Sequence, residues 1–235
     1  MVPGWTTVAT APAVLVREYG FGAGRANALA VALPDRRWLI VSPPPRMAPD
    51  EISAFERHGE VIALLSNNGS HHLGLGPCRG FFPKAVTYAA AASAERIRKK
   101  GKDFGQLEPI AKLAPLLGSD VEVLEVAGCK IGDVLVRVRT NEGVVLYASD
   151  FIANIQKLPK NLLFRTFFKL TDSGPGLKVF RAFLMFFVKD KKAAIDFLVR
   201  ELESNPPAIV VPAHGDIIAR PDVGRTLTDM LQAAR

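Results

Sequence analysis

Short apolar runs that stop abruptly in clusters of turn formers recur along this chain, and they limit it to a layered, sheet-based fold. Val61–Leu65 runs straight into Ser66-Asn67-Asn68-Gly69-Ser70-His71-His72, and Ala208–Val211 into Pro212-Ala213-His214-Gly215-Asp216. Runs of this length bounded by turn signals read as buried strands rather than helices. Similar β-branched or apolar stretches lie at Ala13–Arg17, Asn27–Leu33, Trp38–Ser42 and Ala85–Tyr88. A second group follows at Val121–Val126, Asp133–Thr140 and Val144–Ala148, with Asn141-Glu142-Gly143 as a hairpin turn.

Helical patterns fill the gaps. Ala48–His58 opens with Pro49 and Asp50, as a helix start should, and Ala89–Gly101 is an Ala-rich basic helix. From Pro159 to Glu203 the spacing predicts helices at Leu162–Leu170, Leu177–Val188 and Lys191–Glu203, and Asp222–Ala234 closes the chain. Strands and helices in this order imply an α/β fold with helices outside the sheets. The 235 residues suit one well-filled core, so residues 1–235 are read as one domain.

Composition excludes several classes. A 49% hydrophobic and 23% charged chain is neither disordered nor collagen-like. Cys78 and Cys129 cannot form a disulfide framework, and Met1–Val16 lacks the basic start and unbroken apolar run of a secretory signal, so a cytoplasmic location is expected. No apolar run is long enough for a membrane span. The formal charge of +7 lies largely in Arg96–Lys102 and between Lys157 and Lys192, where solvated helix faces explain it, and no aromatic-interleaved basic motif points to nucleic acid.

Chemistry concentrates at strand ends. Of the four histidines, His71, His72 and His214 follow apolar strands immediately, and Asp150 follows Val144–Ala148 in the same way. Sheets bring such positions together from distant parts of a chain, and imidazoles with a carboxylate are the donors zinc and iron prefer. Plainer roles exist for each. His214 would cap a helix, Asp150 would be the N-cap of a helix at Phe151–Lys157, Asn67 would bond its own loop backbone, and both cysteines would be small buried residues. The spacing of Phe164, Phe167, Phe168, Phe180, Phe183, Phe186 and Phe187 fits core packing.

The loop Asn67–His72, the segment Leu146-Tyr147-Ala148-Ser149-Asp150 and the strand end Val210-Val211-Pro212-Ala213-His214-Gly215 together resemble the metallo-β-lactamase fold superfamily over nearly the whole chain. The resemblance implies a four-layer αββα sandwich. The superfamily loop reads His-x-His-x-Asp-His. Here Asn67 and Gly69 stand at its first two ligand positions, His71 at the Asp position and His72 at the last, while Gly128-Cys129-Lys130-Ile131-Gly132 offers Cys129 where a further histidine is usual. The implied site is therefore a single metal, zinc or iron, held by His71, His72, Asp150 and His214. Asp150 would also position or deprotonate a metal-bound water for attack on an ester, lactone, thioester or related bond. The Phe-rich insertion after Asp150 would wall the pocket or form a homodimer face, suiting a small-molecule substrate with an apolar part and an anionic group. The alternative reading is a non-catalytic member of the same fold that serves as a binding module.

Overall fold

A computed structural model describes residues 1–22, 24–101, 104–158 and 160–235; Lys102 and Pro159, which bound two of the segments read above, lie outside the described residues. The chain opens as a meander in which β1 (Thr6–Thr10), β2 (Ala13–Phe21), β3 (Gly24–Leu33) and β4 (Arg37–Val41) pair antiparallel in sequence order. Three further strands then add in parallel: α1 (Pro49–His58) leads to β5 (Glu60–Leu65), α2 (Leu75–Phe81) to β6 (Val86–Ala89), and α3 (Ala91–Arg98) to β7 (Leu107–Pro109). The second sheet begins with β8 (Val121–Glu125), β9 (Val134–Thr140) and β10 (Gly143–Ile155), paired antiparallel. After α4 (Leu162–Leu170) come β11 (Gly176–Val179), α5 (Arg181–Phe187) and α6 (Lys191–Ser204). β12 (Ile209–Gly215) returns parallel to β10, β13 (Ile218–Ala219) forms the edge, and α7 (Val223–Gln232) ends the fold.

Alternation along the strands assigns side chains to layers. In β3, Leu29, Val31 and Leu33 face the gap between the sheets while Ala28 and Ala30 face α1, α2 and α3. In β9, Val134, Val136 and Val138 enter the same gap, and Leu135 meets the α5, α6 and α7 layer on the far side. Three cores therefore stack between four layers, helix, sheet, sheet, helix, which is the αββα order the resemblance implies. Fully burying each such Val or Leu contributes about 1.5–3 kcal/mol. One charged residue of β9 is also buried: Arg137 points outward between Glu122 and Glu201 and bonds both.

Several local expectations change. Leu177–Val188 is not one helix, because Gly176 at φ +82° turns the chain so that Gly176–Val179 pairs with Ile152–Ile155 of β10, and only Arg181–Phe187 is helical. No helix follows Asp150: β10 continues to Ile155, so an N-cap role for Asp150 is ruled out. Leu75–Phe81 is helical despite two glycines and a proline, since packing of Leu75 and Cys78, both fully buried, outweighs weak local propensity. The strand β1 precedes the first one expected. The Asn141-Glu142 hairpin is where the sequence places it, with Thr140 paired to Gly143.

Candidate metal centre

Three residues remote in sequence meet at the open end between the sheets. His71 comes from the loop after β5, His214 from the end of β12, and Asp150 from within β10; one ligand atom from each lies within 4.8 Å of the other two. Asp150 reaches the centre because β10 is irregular there. Its parallel register with β12 slips between Tyr147 and Ser149 and again between Ser149 and Ala153, with Ser149 at φ +49°. Gly215 permits the other side of the approach: it sits at φ +98°, and a Cβ there would lie 2.1 Å from the Asn154 carbonyl oxygen. The Asn27 amide donates to the carbonyls of both Pro212 and Gly215, at 2.9 and 2.7 Å, and so pins the turn that carries His214.

The Oδ1 atom of Asp150 faces Nε2 of His214 at 3.1 Å and Nε2 of His71 at 3.4 Å. It is buried and accepts no hydrogen bond. The opposite nitrogens are already engaged. Nδ1 of His214 donates to the Arg25 carbonyl at 2.7 Å, and Nδ1 of His71 lies 2.8 Å from Ser42 Oγ, which in turn lies 2.8 Å from the Tyr19 hydroxyl. Burial pushes the Asp150 carboxyl up, but His71 and His214 beside it outweigh that and hold it well below the usual carboxylate range. Burial pulls the His214 imidazole down, and Asp150 more than reverses that. Burial pushes the Tyr19 phenol up to about 12, so it keeps its proton.

A network behind the three donors fixes the carboxylate. The Asn68 amide donates to Oδ2 of Asp150 at 2.7 Å and to Oδ1 of Asp133 at 2.6 Å, while its own oxygen accepts from the Ser70 N–H at 2.8 Å. Ser149 Oγ donates to Asp133 as well, at 2.8 Å. Asp133 is fully buried; burial first and the Asp150 charge second push its carboxyl well above the ordinary range. Asn68, Asp133, Ser42 and Tyr19 are not singled out by the sequence. Only Asp133 carries a signal there, as an acid directly ahead of the apolar strand Val134–Thr140.

His72 is not brought into the group. Its ring turns the other way and stands edge-on to Phe104, with centroids 5.3 Å apart, and its carbonyl accepts from Leu75 at the start of α2. Burial, with Lys100 adding to it, holds its pKa below the ordinary imidazole value. Asn67 does not bond its own loop: its amide donates to Ser149 Oγ at 2.6 Å, across to β10. Cys129 lies with Sγ 3.5 Å from the Phe187 carbonyl, and burial pushes its thiol up to about 11, so it stays protonated. Gly69 offers no donor, and the side chain of Arg96 packs against it.

Above the three donors opens a cleft of about 280 Å³ whose far wall is aromatic, formed by Phe167, Phe180, Phe183, Phe186 and Phe187, with Phe21 and Tyr19 opposite. His214 itself sits between Phe21 and Phe180, at ring distances of 5.8 and 6.2 Å.

The sequence matches no protein-family model and none of the curated proteins. The fold, however, is shared with solved structures. A metallo-β-lactamase from Pontibacter korlensis superposes with a TM-score of 0.61 at 12% identity, over 97% of this chain and 98% of that one. The metallo-β-lactamase FIM-1 from Pseudomonas aeruginosa, in its mono-zinc form, gives 0.60 at 12% identity over 98% and 95%. The metal-soaked Flv1 flavodiiron core from Synechocystis gives 0.56 at 12% identity, over 97% of this chain and 60% of that one. The chain has the metallo-β-lactamase fold.

Proposed function

We propose that the chain is a single-metal hydrolase. It binds one divalent cation, zinc or iron, through His71, Asp150 and His214, and cleaves an ester, lactone, thioester or related bond of a substrate with an apolar part. The observation that carries this reading is the bare Oδ1 of Asp150 facing two imidazole Nε2 atoms at 3.1 and 3.4 Å. Two donors that each lie about 2.1 Å from a shared ion, at tetrahedral to octahedral angles, are about 3.0–3.4 Å apart. Two imidazoles with one carboxylate also leave coordination positions open, as catalytic sites do and structural sites do not. A protein of this fold is known in a mono-zinc form and another is a flavodiiron core, which supports both metals as candidates. A single ion is favoured because Asn67 spends its amide on Ser149, Gly69 has no side chain, and the Arg96 side chain lies beside it.

When bound, a divalent cation supplies Lewis acidity, polarising a substrate oxygen and acidifying water. The chain's own groups prepare the rest. The Arg25 carbonyl can only accept, so it holds the His214 proton on Nδ1 and leaves Nε2 as a lone-pair donor. If His71 likewise donates from Nδ1 to Ser42, and Ser42 to Tyr19, the Tyr19 phenol keeps its own proton for the cleft, where it can donate to a substrate oxygen. Asp150 acts in this reading by holding, since Asn68 occupies its second oxygen. The aromatic wall excludes water and seats the apolar part of the substrate.

A second reading, a non-catalytic binding module on the same scaffold, is favoured by the lack of an imidazole at Asn67 and Gly69. A screen of zinc- and iron-loaded protein on aryl and acyl esters, lactones, thioesters and phosphodiesters separates the two. The hydrolase reading expects turnover that a chelator abolishes and that added metal restores. No turnover on any class, with metal bound, would favour the binding module.

A further inference from the structure

Among the α-helices of the described residues one has no buried residue: all nine residues of α4 are exposed or only half-buried. Its surface is apolar nonetheless. Among the described residues nine large hydrophobic side chains are exposed, and six of them belong to α4 and α5: Leu162, Leu163, Phe164, Leu170, Met185 and Phe186. Leu162, Leu163 and Leu170 are 71, 81 and 82% exposed. A seventh, Leu73, lines the cleft above the candidate metal centre. The two helices form one patch, since Phe167 of α4 packs on Phe186 of α5 with ring centroids 5.9 Å apart, and both rings line that cleft. An exposed patch of this kind beside a pocket marks a surface that is covered in use.

Charge says what covers it. Residues 157–192 hold nine Lys and Arg and only two acids, Asp172 and Asp190, a net of nine minus two, or +7, which equals the formal charge of the whole chain. The remainder of the protein therefore sums to zero. Arg165 and Lys169, one turn apart, lie on the flank of α4 opposite Leu163, Phe164 and Phe167, as the helical spacing requires. Neither they nor Lys157 and Lys160 form an ion pair among the described residues, and Lys130 reaches the patch at the Phe186 carbonyl, 3.1 Å away. Leu and Phe on one face, with Lys and Arg along the flank, is the pattern of a helix that lies in the boundary of a membrane.

We propose that α4 and α5 dock the protein on an anionic lipid bilayer, with Leu162, Leu163, Phe164 and Phe186 inserted at the headgroup boundary and Lys157, Lys160, Arg165 and Lys169 on the lipid phosphates. The cleft mouth then faces the lipid surface. This docking does not depend on a metal being bound. It is a peripheral contact, since no helix among the described residues is long and apolar enough to cross a membrane.

Sedimentation of the full chain with vesicles of phosphatidylcholine, with or without phosphatidylserine, tests the proposal. Binding is expected to the mixed vesicles, to be much weaker on pure phosphatidylcholine, and to fall as salt rises. Leu162→Glu/Leu163→Glu should weaken it at least about tenfold for each leucine replaced. Arg165→Gln/Lys169→Gln should weaken it about fivefold for each charge removed. All four positions are exposed, so circular dichroism should show both variants folded. Wild-type protein that stays in solution with anionic vesicles, or a Leu162→Glu/Leu163→Glu variant that binds them unchanged, would overturn the proposal. So would a dimer in light scattering that the same double variant dissolves while vesicle binding is absent, since a second copy would then be the occupant.

Discussion

Replacing Asp150 by Asn should weaken zinc or iron binding about 10³-fold, equivalent to about 4 kcal/mol, and reduce hydrolysis to the metal-free background. The substitution keeps the shape of the side chain, but it removes the charge that faces both imidazoles from the buried Oδ1, and its single oxygen can accept from Asn68 or face the ion, not both. A neutral amide oxygen is a poor ligand for a dication that must leave water to enter a buried site. His72→Ala makes the informative contrast. Its ring stands on Phe104 rather than at the centre, so affinity should change by no more than about twofold, where loss of a directly coordinating imidazole costs far more. Isothermal titration of metal into the chelator-stripped proteins measures both. Equal losses in the two variants would mean that the site is not the group of three.

Asn68→Leu should be the most destabilising single change near the site. Asn68 is fully buried and uses both amide hydrogens on carboxylates, Asp133 at 2.6 Å and Asp150 at 2.7 Å. Leucine fills the same space and supplies no donor. The Asp150 anion and the buried Asp133 carboxyl then face each other without the bridge, and leaving a buried charge without its partner costs about 3–5 kcal/mol. The melting temperature should drop by about 10 °C or more, given about 2–4 °C per kcal/mol for a chain of this size. Adding Asp133→Asn should recover a large part of the loss, because the two carboxyl groups no longer face each other. Asn67→Leu, which gives up a neutral bond to Ser149, should cost only about 1–2 kcal/mol. A difference scan by calorimetry ranks the three, and similar costs for the two asparagines would show that Asn68 does not bridge charges.

The parts of this fold that can be read from sequence are those where one rule acts alone. Leu29, Val31 and Leu33 alternate with small alanines, so β3 and its two faces follow from spacing. His214 stands out because a buried strand ends there, and the succession of strands and helices places helices outside the sheets, while the four-layer order comes from the family resemblance. Where two rules compete, spacing is silent. Residues 177–188 are apolar nearly throughout, so helix and strand periods cannot be told apart, and pairing with Ile152–Ile155 decides. Ser149 and Asp150 look like the end of a strand because they are polar, yet Asn67 and Asn68 bond them from the neighbouring loop and the strand runs on.

The candidate centre divides in the same way. The adjacent loop residues His71 and His72 point to different sides, and His71 is held inward by Ser42, twenty-nine positions away. Asn68 and Tyr19 are ordinary residue types in ordinary settings. Their importance comes entirely from distant partners, Asp133 and Asp150 for one and Ser42 for the other.

The most direct test of the central claim is an anomalous difference map at the zinc edge, from crystals of the protein grown with zinc. One peak is expected, about 2.0–2.2 Å from Nε2 of His71, Nε2 of His214 and a carboxylate oxygen of Asp150, with none at Asn67 or Gly69. A map without a peak at saturating zinc, or an ion held by His72 instead, would contradict it.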